Sequence, residues 1–124
     1  MKYTAFLGVR FEPEWFLMDS AEREKFEAEH VFPILAKHAQ FLRIRPFRAS
    51  AFSSRHTNFF LVHFDDIPAY NDLIEEMRER PLMANRFATI TDNFIGIEAA
   101  YYADDARDVS GAGEAVGADS GEQA

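Results

Sequence analysis

An α+β domain is predicted, with elements in the order β, α, β, β, α, β. They build a four-stranded antiparallel sheet with two helices on one face. Three observations predict it. Two segments open on acidic helix-start signals and carry apolar residues at helical spacing, and they alternate with four β-prone, aromatic segments. The middle two β-prone segments are only a few residues apart, the separation of a hairpin. A chain of 124 residues, 48% apolar and 15% aromatic with 13 Phe, also suffices for a single compact core.

Residues 2–11 (KYTAFLGVRF) are aromatic and β-prone and stop at Glu12-Pro13-Glu14, where Pro13 cannot donate to a ladder. The following Trp15 to Met18 is expected as a loop, apolar enough to plug the core or to lid a pocket. Asp19 and Glu22 have capping-box spacing, so the first helix starts near Ser20 and runs to about Gln40. Pro33 inside it lacks an N–H and must bend or restart it. Residues 41–52 and 57–64 read as strands two and three around a hairpin at 53–56. Asp65-Asp66-Ile67-Pro68 closes strand three and opens the second helix, in which Ala69, Tyr70, Leu73, Ile74 and Met77 give the 3.6 period. Residues 82–88 add a short turn, and 94–102 read as strand four.

Charge is unevenly placed. The net charge is −8, yet His30 to Phe64 holds no Asp or Glu while carrying all four histidines and five cations. From Ala103 the composition turns to Asp, Glu, Gly, Ala and Ser, the mark of a disordered acidic tail at 103–124 behind a folded domain at 1–102. That tail has net charge −5, which leaves −3 for the domain. The acidic balance argues against binding to duplex nucleic acid through phosphate neutralisation and disfavours anionic membranes. No cysteine is present, so disulfides and thiolate metal sites are excluded. Met1 to Phe11 lacks the features of a signal peptide, and a cytoplasmic location is expected.

Alternation bears on assembly. A sheet covered on one face alternates apolar with polar residues. Here strand three sets Phe59, Leu61 and His63 against Asn58, Phe60, Val62 and Phe64, so both faces ask for burial. Two helices cover one face only. A homodimer with two sheets face to face is therefore expected, because a large exposed aromatic face invites association.

The opening KYTAFLGVR, the FPILAKH of the first helix, AFS before the hairpin, HFDDIPAYNDLIEEMRERP and FIGIE together resemble the darcynin family, over about residues 1–100. The pattern is in turn similar to the dimeric ferredoxin-like α+β barrel. That superfamily includes cofactor-free monooxygenases and polyketide cyclases, isomerases, haem-binding enzymes and stress proteins. Its small cofactor-free monooxygenases place an Asn and a Trp on the third strand, a Tyr early in the next helix and an Arg before the last strand. The resemblance matches these to Asn58, Phe64, Tyr70 and Arg86. The spacing of six from Trp to Tyr is kept by Phe64 and Tyr70, but Phe64 has no N–H donor and Asn58 lies two residues further from it.

The resemblance implies a cofactor-independent oxygenase, cyclase or isomerase acting on an aromatic, polyketide-like substrate between sheet and helices. Tyr70 would move a proton and the Arg86 cation hold the resulting phenolate or enolate. Asn58, Phe64, Trp15 and Arg45 would line the ligand site. Arg43 and Arg45 share one strand face and suit an anionic group, unless they pair with acids of the protein; which face of strand two meets the pocket depends on register. No metal or cofactor is expected. His63 and Asp65 share a strand face without a third ligand, and His30 and His38 are eight apart, not the four of a helical pair. The alternatives are a non-catalytic dimeric module for a hydrophobic ligand or for stress, and a haem or iron protein.

Overall fold

The structure, a computed structural model, describes residues 1–99. The elements are β1 (Tyr3–Phe11), α1 (Pro13–Phe16), α2 (Ser20–His30), α3 (Phe32–His38), β2 (Leu42–Arg48), β3 (Asn58–Phe64), α4 (Ile67–Glu79), α5 (Pro81–Ala84) and β4 (Ala88–Ile97). All neighbouring strands are antiparallel, in the order β2-β3-β1-β4. This is the predicted α+β, ferredoxin-like βαββαβ arrangement, elaborated by short helices. The expected acidic tail lies outside the described residues. No described helix is long and apolar enough to cross a membrane.

Local signals act where the sequence places them. Glu22 N–H donates to the Asp19 side chain at 2.8 Å, and Asp19 N–H donates to Glu22 at 2.9 Å, so the capping box that starts α2 is complete. Pro33 restarts the helix: α2 ends at His30, Val31 caps both the end of α2 and the start of α3, and α3 begins with Pro33 in its first turn. On α4 the 3.6 period buries Tyr70, Leu73, Ile74 and Met77.

Several boundaries differ from the sequence reading, and β4 ends at Ile97, the expected continuation at 100–102 lying outside the described residues. Residues expected as a loop at Trp15 form the helical turn α1, which buries Trp15. β2 stops at Arg48, because Ala49 and Phe52 turn into a loop closed by the Ala49 N–H to Thr57 carbonyl bond at 2.8 Å. β4 starts at Ala88, six residues before the predicted strand. Its polar Thr89, Asp92 and Asn93 pair with β1, and the register shifts at Gly8/Val9, leaving Thr91 as the extra residue of a bulge.

That bulge receives the loop between β2 and β3. Arg55 Nη2 donates to the Thr91 carbonyl at 2.7 Å, and His56 Nδ1 lies 2.6 Å from Thr91 Oγ1. The imidazole crosses β1 directly over Gly8, where an added Cβ would stand 2.6 Å from His56 Nδ1. Only glycine leaves room for this crossing.

The helix-facing side of the sheet is built from Ala5, Leu7 and Val9 of β1, Val62 and Phe64 of β3, Leu42 of β2 and Ala88 of β4, all buried. The opposite side carries no helix among the described residues, only the His56 loop at one end, its imidazole 5.4 Å from the Phe6 ring. Across this side runs a ladder of rings, one per strand: Phe94–Phe6 at 5.2 Å, Phe6–Phe59 at 5.1 Å and Phe59–Phe47 at 4.8 Å, all stacked. At one end, Thr4 Oγ1 meets His63 Nδ1 at 2.9 Å and also bonds the Glu98 carboxylate.

Helices α3 and α4 are fastened by one carboxylate. Glu76 of α4 accepts from His38 Nε2 at 2.8 Å and Lys37 Nζ at 3.1 Å, both of α3, and from Arg80 at 3.3 Å. The His38 bond, then that of Lys37, hold its pKa down at about 2, well below the ordinary 4.5. A carboxylate whose folded pKa is depressed stabilises fully above its unfolded pKa and loses that contribution as pH falls through the folded value. Stability should therefore decline between about pH 4.5 and 2 more steeply in the native chain than in Glu76→Gln. Denaturation midpoints over a pH series measure this, and parallel profiles would refute the assignment.

Candidate functional site

Between the sheet and the α2–α3 pair lies an apolar cavity of about 540 Å³. Its floor includes Leu7 and Val9 of β1, Ile44 and Pro46 of β2, and Phe60 and Val62 of β3. Val31, Phe32 and Leu35 cover it at the helix break, and Leu73, Met77 and Leu82 close one side. The break and the cavity belong together. α2 buries no residue completely, whereas α4 buries four, so the helical layer packs tightly on the α4 side and stands off beneath α2 and α3.

The lining contains two polar side chains, Asn58 of β3 and Glu27 of α2. Among the described residues, neither side chain makes a hydrogen bond or ion pair with protein. Burial, and then the repulsion of Glu24, pushes the Glu27 carboxyl above its ordinary pKa. No Lys, Arg or His lines the cavity.

The expected site residues divide into separate environments. Asn58 reaches the cavity. Phe64 is fully buried and Tyr70 stacks on it at 5.0 Å and 5°, so the spacing of six brings the two rings together. They belong to the core beside the cavity and do not line it. The Tyr70 hydroxyl donates to Asn93 Oδ1 at 2.6 Å, and burial raises its pKa to about 12. It borders a separate groove between α4 and β4, with Ile67, Asn93 and Phe94.

Arg86 is exposed in the turn before β4, in a left-handed conformation with φ 63°. Among the described residues its side chain forms no hydrogen bond or ion pair, with Tyr70 or with any other group. Trp15 is buried in an aromatic cluster with Phe11 at 5.1 Å, Phe26 at 5.6 Å and Phe87 at 6.0 Å. Phe11 also lines the cavity, so Trp15 backs its wall. The pairing of Arg43 with His63 and Arg45 with Leu61 puts both arginines on the uncovered sheet face. There Arg45 lies 5.3 Å from the Phe47 ring centre, a cation–π contact. Register thus answers the question of strand two: the face with Ile44 and Pro46 meets the cavity.

Glu27 is the site residue that the sequence reading passed over. The signal was present, since Arg23, Glu27, His30 and Val31 follow helical spacing beside the apolar Phe26. A single acid in a helix crowded with acids gave no reason to separate it.

A haem or iron group does not fit these residues. The cavity offers no imidazole, thiolate or phenolate ligand. The histidines are engaged elsewhere: His38 with Glu76, His56 with Thr91, His63 with Thr4, and His30 packed 4.9 Å from the Phe26 ring. No group of three metal-binding side chains occurs among the described residues.

The fold is similar to that of the chlorite dismutase from Candidatus Nitrospira defluvii in complex with imidazole. The match has a TM-score of 0.68 and 16% identity, covering 77% of this chain and 39% of that one. At that identity the likeness concerns the fold, and this chain spans about two-fifths of the dismutase. Sequence relatives are nearer. The chain is 30% identical over 98 residues to a darcynin homologue of Streptomyces avermitilis, covering 79% of this chain and 80% of the relative. It is 31% identical to one from Granulibacter bethesdensis, covering 79% and 78%. The family described as "Darcynin, domain of unknown function" matches residues 1–113, and the chain belongs to the Darcynin family.

Proposed function

We propose that the protein is a homodimeric, cytoplasmic module that binds an apolar small molecule of aromatic size between its sheet and the α2–α3 pair. The cavity carries this reading. About 540 Å³ lies within the range of small-molecule pockets, and a void of that size left empty would forfeit packing throughout its lining. The test is the fluorescence of N-phenyl-1-naphthylamine, an apolar aromatic probe. Saturable enhancement at one site per chain is expected, together with its loss in Ala36→Trp, which fills the cavity from its exposed rim. Absence of enhancement, or unchanged enhancement in the variant, would overturn the proposal.

Dimerisation is proposed from the uncovered face. No helix covers the four stacked phenylalanines within the described chain, and charge favours one arrangement over another. Arg43 and Arg45 lie on edge strand β2, whereas Asp92 of edge strand β4 and Glu98 just beyond it lie at the opposite edge. A two-fold axis parallel to the strands places β2 of one protomer over β4 of its partner, bringing cations to acids. An axis across the strands would set arginines against arginines.

A second reading, catalysis by an oxygenase, cyclase or isomerase on an aromatic substrate in the same cavity, is favoured by Glu27. A carboxylate with a raised pKa in an apolar pocket is a suitable general base. The geometry supports Glu27 in that role more directly than the pair Tyr70 and Arg86, which no contact joins.

A further inference from the structure

We propose that the cavity selects a ligand with an apolar body and a protonated amine at one end, the amine held by the Glu27 carboxylate and a second polar group by Asn58. This rests on the cavity being a ligand site and names the class of ligand it takes.

Two polar groups in the cavity wall lack partners. A carboxylate taken partly out of water into an apolar wall is costly unless paired. Elsewhere this protein pairs its partly covered carboxylates: Glu76 has three donors, Glu12 accepts from Thr89 at 2.6 Å and from Arg10 at 3.3 Å, and Glu98 bonds Thr4. Glu27 has none, although Arg23 lies one turn before it on α2. Arg23 makes no hydrogen bond to it, donating instead to the Met18 carbonyl and, at 3.4 Å, to Ser20. The Asn58 amide is half-buried and likewise has no side-chain partner among the described residues.

Charge complementarity decides among ligands. No cation is among the lining residues; Arg48, on the cavity-facing side of β2 opposite Asn58, is exposed at its edge. Arg43 and Arg45 lie on the other side of the sheet, and Arg86 lies in the exposed turn before β4. A carboxylate or phosphate entering the cavity would meet Glu27 with no cation in the lining to offset it. An ammonium group would relieve both its own charge and that of Glu27, while its apolar body replaces water along the walls.

The test compares three ligands of one chain length, decylamine, decanol and decanoate, as competitors of N-phenyl-1-naphthylamine at neutral pH. Decylamine should displace the probe at about tenfold lower concentration than decanoate, with decanol between them. Glu27→Gln should bring amine and acid within about threefold of each other. Glu24→Gln removes a neighbouring charge that does not line the cavity, and should leave the preference in place. It separates Glu27 from the general attraction of an acidic protein for cations.

Three results would overturn the proposal. Decanoate could compete as well as decylamine in the native protein, the preference could survive in Glu27→Gln, or Glu24→Gln could abolish it equally. In each of these the probe still binds, so the cavity reading stands and only the charge selection fails. A protein that binds neither probe nor competitor overturns both.

Discussion

Replacing Phe64 with alanine is expected to destabilise the fold by about 3–5 kcal/mol, the usual cost of emptying a buried aromatic site. Phe64 is fully buried where β3 passes into α4. Its ring is held between Tyr3 at 5.7 Å and Tyr70 at 5.0 Å, so truncation leaves a void bounded by two rigid rings that cannot collapse into it. Against a total stability of about 5–15 kcal/mol this is a large fraction of what holds a small domain together. Urea denaturation of Phe64→Ala and Phe64→Leu would measure it, the leucine variant losing less because it retains most of the volume. A loss below about 1 kcal/mol for the alanine variant would show that the Phe64–Tyr70 stack is not a keystone of the core.

The second large effect concerns association. Phe6→Asp should convert a dimer at micromolar concentration into a monomer, raising the dissociation constant at least about 30-fold, as expected for a hot-spot aromatic replaced by a charge. Phe6 stands in the middle of the ring ladder, between Phe59 and Phe94, so in a face-to-face dimer the carboxylate would be enclosed without a partner. Phe94→Asp tests the same surface from an exposed position on β4, where Phe94 is 57% accessible and contributes less to the fold of one chain. Sedimentation velocity reads both variants, with circular dichroism to confirm that each remains folded. A native chain that sediments as a monomer, or variants that dimerise as the native chain does, would rule out this face as the interface.

Much of the architecture was readable because its determinants are local. Asp19 with Glu22 marked a helix start, Pro33 a restart, and the alternation from Asn58 to Phe64 assigned both faces of β3 correctly. β4 was harder because its first half is defined by its neighbour. Thr89, Asp92 and Asn93 are ordinary turn and surface residues until β1 pairs with them, and a bulge breaks the alternation that would have revealed them. The same division runs through the site. Phe64 and Tyr70 meet because a strand end and the following helix start hold them at fixed spacing. Which wall Arg45 joins depends on register, and whether Arg86 approaches Tyr70 depends on the path of a turn in the left-handed region. Glu27 acquires its role only when the break at Pro33 leaves a space beneath it.

The crossing of His56 over Gly8 has a mechanical consequence. β2 and β4 are opposite margins of the sheet, and no ladder hydrogen bond joins one to the other. Arg55 and His56 nevertheless tie the segment leaving β2 to Thr91 on β4, spanning the two inner strands like a brace across an open frame. Fraying at either margin must therefore strain the other, and the twist of the sheet is set at this end by a cross-member rather than by strand pairing alone. Any insertion that lengthened this loop would slacken the brace and let the two halves of the ring ladder turn against each other.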